Sequence, residues 1–434
     1  MSVLSVSEHT EIPVSERFSA SADSPSISPR HVRALDRFNA AMRRRRGIPP
    51  FELGYRSVRS RQHCGVVALG KEAIEILPKV DSNGSVESNE SARIRLLGML
   101  AFTRKLPIHQ AEAARLARQP QVLLEVVIRL FCNRALDLVR TGLLHRYEAQ
   151  ADNLRVLRGK LVLPVHLSRN IAHRERMYCA YDEFTPDNTA NRVVKQAARR
   201  IEQVTSSFSI QGMLRELHYC LDEVSDCAVT IDEFRAIPRD RSTEAYRDVL
   251  ELAGMILFGP FPDVVSGQTN QVAFLFDMNR LFEEFVGRHM MRLADPLELE
   301  VSLQGPSRWL GRDILQGSAD EECFRLKPDI TLRRDDQFVG VVDTKWKALR
   351  SANPREDVSE ADVYQMLAYM TRYGCEAGAL LFPTRVGADE DGVFAKIDIA
   401  GKTLFLAGLN LKALQTVPSQ LERMTRRIVA AGFR

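Results

Sequence analysis

Residues 327–347 read KPDITLRRDDQFVGVVDTKWK. The polar cluster Arg334 to Gln337 separates two runs rich in β-branched and apolar residues, which predicts a β-hairpin. Asp329 and Asp343 lie symmetrically about residue 336, so a hairpin closing there sets them opposite one another. Opposed side chains on adjacent antiparallel strands share a face, with Cβ atoms roughly 4.5–5.5 Å apart. Lys345 joins that face because strand side chains alternate. On a surface hairpin these residues would be an exposed ion pair worth about 0–1 kcal/mol. Val339, Val341 and Val342 instead make the segment the end of a buried strand, where converging charges need a compensating role. Phosphodiester cleavage provides one. Magnesium takes oxygen ligands, is usually held by one or two carboxylates with phosphate oxygens, and can activate a water. A lysine adds fixed positive charge where the transition state becomes more negative.

Outward from the hairpin, residues 273–294 predict an apolar helix, 298–304 a strand, about 359–374 a helix, and Ala377 to Phe382 a strand. The order helix, strand, hairpin, helix, strand predicts a mixed α/β domain built on one sheet with helices on its faces.

Upstream, CGVVALGKEAIEILPKV from Cys64 predicts a hairpin about a Gly-Lys-Glu turn. Ile94 to Phe102 and Gln121 to Tyr147 carry apolar residues at helical spacing, with Pro120 at a first-turn position. The segment Leu154 to Tyr181, including LRGKLVLPVHL and RMYCAY, reads as strands. Helices are predicted over Asp187 to Gln203, Gln211 to Val224 and Thr243 to Leu257, so this part is α+β. Gly259, Pro260 and Pro262 place a domain boundary between there and Gly267. Residues 1–29, rich in Ser, Glu and Pro, predict a disordered tail. His31 to Arg46 reads as a helix ending in four arginines, either a solvated face or a phosphate-facing patch. The expected division is therefore a tail over 1–29, an α+β domain over 30–262 and a second domain over 268–434.

At 434 residues the chain exceeds one ordinary core. Its 45% hydrophobic and 27% charged residues are those of a globular protein. A net charge of +4 permits nucleic-acid binding without requiring it. The seven cysteines include no C-x-x-C pair, arguing against a zinc ribbon or a disulfide framework. Neither a secretory signal nor an apolar run long enough for a membrane helix is visible, so a cytoplasmic protein without membrane partners is expected.

Pro328-Asp329 followed by Asp343-Thr344-Lys345 resembles the PD-(D/E)xK nuclease motif. Gln365 and Tyr369, which share a helix face by their i, i+4 spacing, are similar to the Q-x-x-x-Y motif of the superfamily's helicase-associated branch. More of the chain resembles McrC, the nuclease subunit of McrBC-type restriction systems that cut modified DNA. The pieces, in order, are GVVALGKEAIEILPKV, LRGKLVLPVHL with Asn170, CAYDEFTPDNTANRVVK, FLFDMNRLFEEFV, the nuclease motif, VYQMLAYMTRYG and the strand ending LLFP.

The resemblance implies a magnesium-dependent DNA endonuclease domain of the restriction-endonuclease type, behind a partner-binding N-terminal domain. It implies Asp329 and Asp343 as metal ligands, the Thr344 carbonyl as a third, and Lys345 as the catalytic lysine. It also implies that Gln365 and Tyr369 orient the lysine or the substrate backbone. Glu283 matches a position where related nucleases often place another acidic ligand, although with Glu284 it more simply caps the polar side of a core helix. The implied partners are DNA and a McrB-type AAA+ GTPase whose hydrolysis this chain stimulates. The chain itself lacks a phosphate loop: Gly401-Lys402-Thr403 has Lys396 five residues before Gly401 and a strand-like run after it, so it reads as a turn. The competing reading is a non-catalytic assembly factor with a decayed nuclease fold.

Overall fold

The computed structural model describes residues 2–21, 23–44, 48–70, 72–79, 88–103, 123–205, 207–258, 271–313, 322–349, 353–383 and 392–432. The N-terminal part holds β1 (Ser2–Ser7), β2 (Glu11–Pro13), β3 (Phe51–Leu53), β4 (Ser57–Ser60), β5 (His63–Leu69) and β6 (Glu72–Leu77). The expected hairpin is β5–β6, and both strands are buried almost throughout. Contrary to the disordered tail expected of residues 1–29, β1 lies parallel to β6 and β2 pairs with β4. A strand needs an apolar residue only at every second position, and composition averaged over the segment hides that Leu4, Val6, Ile12 and Ile27 are all buried.

Helices α1 (Pro29–Arg44), α2 (Asn89–Phe102) and α3 (Leu123–Thr141) follow the apolar periodicity. The end of the arginine run and Pro120 fall outside the described residues. Beyond Thr141 the chain becomes β7 (Arg146–Leu154), which with β8 (Lys160–Leu161) and β9 (Met177–Thr185) forms a three-stranded arm. Tyr147 is therefore on a strand, not at the end of a helix. The LPVHL segment, expected as strand, is the short helix Leu163–Arg169; Pro164 fits its first turn, where no backbone N–H is needed. The helices Thr189–Glu202, Phe208–Cys220 and Arg247–Phe258 pack with α3 into the N-terminal core.

The predicted boundary, 259–267, lies outside the described residues. After it comes β10 (Gln271–Asp277), antiparallel to β5, where a helix from residue 273 was expected. An apolar run such as VAFLF serves either structure, and Asp277 decides the change: its carboxylate accepts from the N–H of Asn279 and caps α4 (Met278–Arg292). At Gly65 any Cβ would meet the Phe274 carbonyl oxygen, so the close approach of β5 and β10 requires glycine there.

The C-terminal part comprises β11 (Glu300–Leu303), β12 (Arg308–Arg312), β13 (Glu322–Leu326), β14 (Ile330–Arg334), β15 (Gln337–Thr344), α5 (Glu360–Tyr373), β16 (Ala377–Pro383), β17 (Val393–Ile399), β18 (Lys402–Leu409) and α6 (Val417–Gly432). Six strands form a mixed sheet in the order β11-β14-β15-β16-β18-β17, parallel where β15, β16 and β18 meet. Alternation divides the strands between two cores. Val341, Leu380, Phe382 and Leu404 pack with Met366 and Met370 of α5. Val339, Val342, Leu381 and Phe405 face the core that contains Phe282 of α4 and Ile428 of α6. The architecture is mixed α/β, as the element order predicts. Gly401 and Lys402 sit at the turn from β17 to β18. Among the described residues no helix is long and apolar enough to cross a membrane.

Candidate active site

The β14–β15 hairpin closes through Asp335 and Asp336, both at left-handed φ (48° and 64°), as a two-residue turn of the primed type requires. Arg334 pairs with Gln337 and Arg333 with Phe338, so without interruption Asp329 would oppose Val342. A register shift between Leu332 and Arg333 leaves Val339 as an extra residue, after which Ile330 pairs with Val342. Asp343 thereby comes opposite Asp329. A one-residue difference in register exchanges the faces of a strand, so this irregularity brings the two carboxylates to one side.

Asp343 is 3% exposed, and the Lys345 ammonium lies 2.6 Å from its Oδ2. That contact is an ion pair, and among the described residues Oδ2 has no hydrogen bond of regular geometry. The N–H and hydroxyl of Thr344 both donate to Asp329 Oδ2, each at 2.8 Å. Burial raises the pKa of both aspartates; the negative charge of Asp329 raises Asp343 further, while the Thr344 bonds hold Asp329 down in part. Burial opposes the charged form of Lys345, but Asp343, Asp362 and Asp329 outweigh it and raise its pKa, keeping the ammonium charged.

Helix α5 aims its side chains at this lysine. Lys345 Nζ donates to Gln365 Oε1 at 2.9 Å, Gln365 Nε2 donates to the Tyr369 oxygen at 2.8 Å, and Tyr369 O–H donates to the Lys327 carbonyl at 3.2 Å. Burial first, and Asp343 second, push the Tyr369 hydroxyl up to about 12, so it stays a donor. The pair thus orients the lysine and links it to the backbone just before Pro328-Asp329.

Glu283 stands apart from the closest contacts. Its carboxylate accepts from the Gln304 side-chain amide, and burial, then the charge of Asp329, raises its pKa to about 6. It senses both aspartates. Among the described residues, however, no three His, Cys, Asp or Glu side chains converge as a ready-made ion cage. The groups that do converge fit a hard divalent cation: they are all oxygen, burial raises the pKa of both aspartates, the charge of Asp329 raises Asp343 and Glu283 further, and Asp343 is buried beside the Lys345 ammonium. Two carboxylates suffice for magnesium, which keeps waters and shares phosphate oxygens.

Two further residues belong here that the sequence reading missed. Asp362 Oδ1 lies 3.8 Å from Lys345 Nζ; its spacing of three from Gln365 on one helix face is a signal that could have found it. Gln304 donates its backbone N–H to the Asp329 carbonyl at 2.6 Å and its amide to Glu283, from a left-handed φ of 54°. Nothing local in the sequence announces it. The Gly-Lys-Thr fragment has no phosphate-binding geometry: Lys402 Nζ is occupied by the Cys375 carbonyl at 3.0 Å and Glu376 at 2.9 Å.

A sequence model of the McrBC family, described as a 5-methylcytosine restriction system component, matches residues 58–383. No curated protein matches the chain. A solved structure similar to it is the McrB AAA+ hexamer with bound McrC of Thermococcus gammatolerans, a refined half-complex from a tetradecameric assembly. The match has a TM-score of 0.71 at 19% identity and covers 98% of this chain and 100% of that one. A cryo-EM structure of the McrBC complex from the same organism matches with TM-score 0.50 at 22% identity, over 67% of this chain and 88% of that one.

Proposed function

This chain belongs to the McrBC restriction family, and from that premise we propose that it is the endonuclease subunit, cutting DNA phosphodiester bonds with magnesium. The observation that carries the reading is the ammonium of Lys345 held between Asp343 and Gln365 at the end of a buried strand, with Asp329 opposite. A buried carboxylate paired with a half-buried ammonium is costly unless a ligand or a reaction uses the pair.

In this reading Asp329 and Asp343 hold the metal, with the Thr344 carbonyl as a third oxygen. Bound magnesium supplies a Lewis acid and lowers the pKa of a water. Lys345 stabilises the charge developing on the phosphoryl oxygens, and Gln365 and Tyr369 keep it from collapsing fully onto Asp343. Glu283 would supply a further carboxylate for the metal or remain a structural partner of Gln304.

A McrB-type AAA+ GTPase is the proposed partner, its hydrolysis stimulated by this chain. The three-stranded arm supports a docking role: Tyr147, Leu163, Leu167, Ile171 and Phe184 are all more than half exposed, which is unusual for so many large apolar side chains in one small element. The test is co-expression with a McrB-type AAA+ GTPase from the same source, then cleavage of 5-methylcytosine-containing and unmodified DNA with magnesium and GTP. Cleavage of modified DNA that persists in excess EDTA, or that Asp343→Ala leaves undiminished, overturns the assignment.

A further inference from the structure

Glu8 lies just past the end of β1, 3% exposed, and Trp346, 9% exposed, immediately follows Lys345. The indole N–H of Trp346 is shared between both oxygens of the Glu8 carboxylate, at 3.0 and 3.1 Å. Glu8 is itself fixed: the Lys79 N–H donates to Oε1 at 2.8 Å, and its own N–H donates to the Leu77 carbonyl at 2.9 Å. On its other side Trp346 packs edge-on against Phe282 of α4, ring centroids 5.5 Å apart.

The chain turns sharply at this tryptophan, since the Lys347 N–H donates back to the Lys345 carbonyl at 2.9 Å. Neighbouring residues of extended chain point to opposite faces. Trp346 is buried in the core shared with the N-terminal part, while Lys345 projects towards α5. Fixing the indole on one face therefore fixes the direction of the lysine on the other. A carboxylate is an expensive way to hold an indole, since burial costs free energy that only donors and nearby positive charge offset. Burial pushes Glu8 up to about 7 despite the Lys79 and Trp346 bonds and the charge of Arg95.

We propose that Glu8 is a positioning residue for Lys345, acting through Trp346 and tying the N-terminal strand to the catalytic strand. The inference rests on the nuclease reading for its effect on rate, but the contact itself can be tested without cleavage. In the chain bearing Trp309→Phe, Trp346 is the only tryptophan, and Glu8→Ala shifts its emission maximum while the far-UV spectrum is retained. Unchanged emission overturns the contact whatever the chain's activity.

With the full chain and its GTPase partner, single-turnover cleavage falls at least tenfold in Glu8→Ala and in Trp346→Phe, with DNA affinity changed less than twofold. The two effects do not multiply in the double variant, because both remove one interaction. Glu8→Gln, which keeps an acceptor oxygen for the indole, recovers most of the rate. If wild type cleaves and Glu8→Ala cleaves within twofold of it, or the double variant is worse by the product of the singles, the positioning role is wrong and the nuclease reading stands. If wild type does not cleave, the nuclease reading fails together with the rate effect proposed for Glu8.

Discussion

Replacing Asp343 separates chemistry from folding, because its carboxylate is buried at the end of a strand whose apolar neighbours Val339, Val341 and Val342 hold the sheet without it. Asp343→Ala is expected to reduce cleavage by at least about 10²–10³-fold, roughly the effect of losing one preorganised hydrogen-bond donor to the transition state, and to abolish any magnesium-induced rise in melting temperature. Lys345→Ala loses a similar factor in cleavage but keeps the magnesium shift, since in the proposed mechanism the ammonium acts on the substrate. A magnesium shift retained by Asp343→Ala would remove this aspartate from the ligand set. The pH dependence follows from the raised pKa of Asp343, about 6 against an ordinary value of roughly 4. The folded chain binds more protons than the unfolded chain in that window. This contribution to stability is therefore full below about pH 4 and is lost as pH rises to about 6. Metal-free melts of wild type and Asp343→Asn across pH 4.5–8 measure it: the asparagine variant loses less stability on going up. Parallel curves would mean that neither burial nor the charge of Asp329 raises Asp343 in the apo site.

At the scale of elements, β1 and β2 are the clearest test of how the chain is built. A chain starting at residue 14 loses the buried side chains of Leu4, Val6 and Ile12. At about 1.5–3 kcal/mol each, this is comparable to the whole stability of many domains. It also uncovers the β6 edge, so a strongly lowered melting temperature or aggregation is expected. A fall of less than about 2 °C would return the segment to the status of a tail. The same contrast shows what was legible in the sequence. The hairpin over 327–345 was readable because its turn residues and its symmetry about residue 336 are local, as were the i, i+4 pair Gln365 and Tyr369 and the helices with strong apolar periodicity. The extra residue Val339, which makes that symmetry work, left no signal of its own. Where a short apolar run could serve helix or strand, as in LPVHL and VAFLF, a single proline or capping aspartate decided it. Glu8 and Gln304 were invisible for a different reason: their partners lie 338 and 21 residues away, and only tertiary structure brings them together.

For the whole molecule, the arm and the aspartate–lysine cluster stand on different parts of the chain, and this predicts that their proposed functions can be broken separately. Leu163 and Leu167 are 57% and 63% exposed on the short helix of the arm. Their i, i+4 spacing places them on one helix face. Replacing both by serine removes exposed apolar surface and touches no buried packing, so stability should change by no more than about 0.5 kcal/mol per site. If this face docks on the GTPase, the double variant loses stimulation of GTP hydrolysis by tenfold or more. It also loses partner-dependent cleavage, while its magnesium-dependent thermal shift and its own DNA affinity remain. Asp343→Ala gives the converse, with full GTPase stimulation and no cutting. Full stimulation by the arm variant would move the docking surface elsewhere on the chain. Loss of stimulation by Asp343→Ala, with its fold intact, would show that the catalytic cluster and the partner surface are coupled, and the Glu8–Trp346 contact provides a physical route for that coupling, because it joins the N-terminal strand to the residue next to the lysine. Measuring both variants in the Glu8→Ala background then decides between these outcomes: independent parts leave the arm phenotype unchanged, whereas coupled parts make it depend on whether that contact can form.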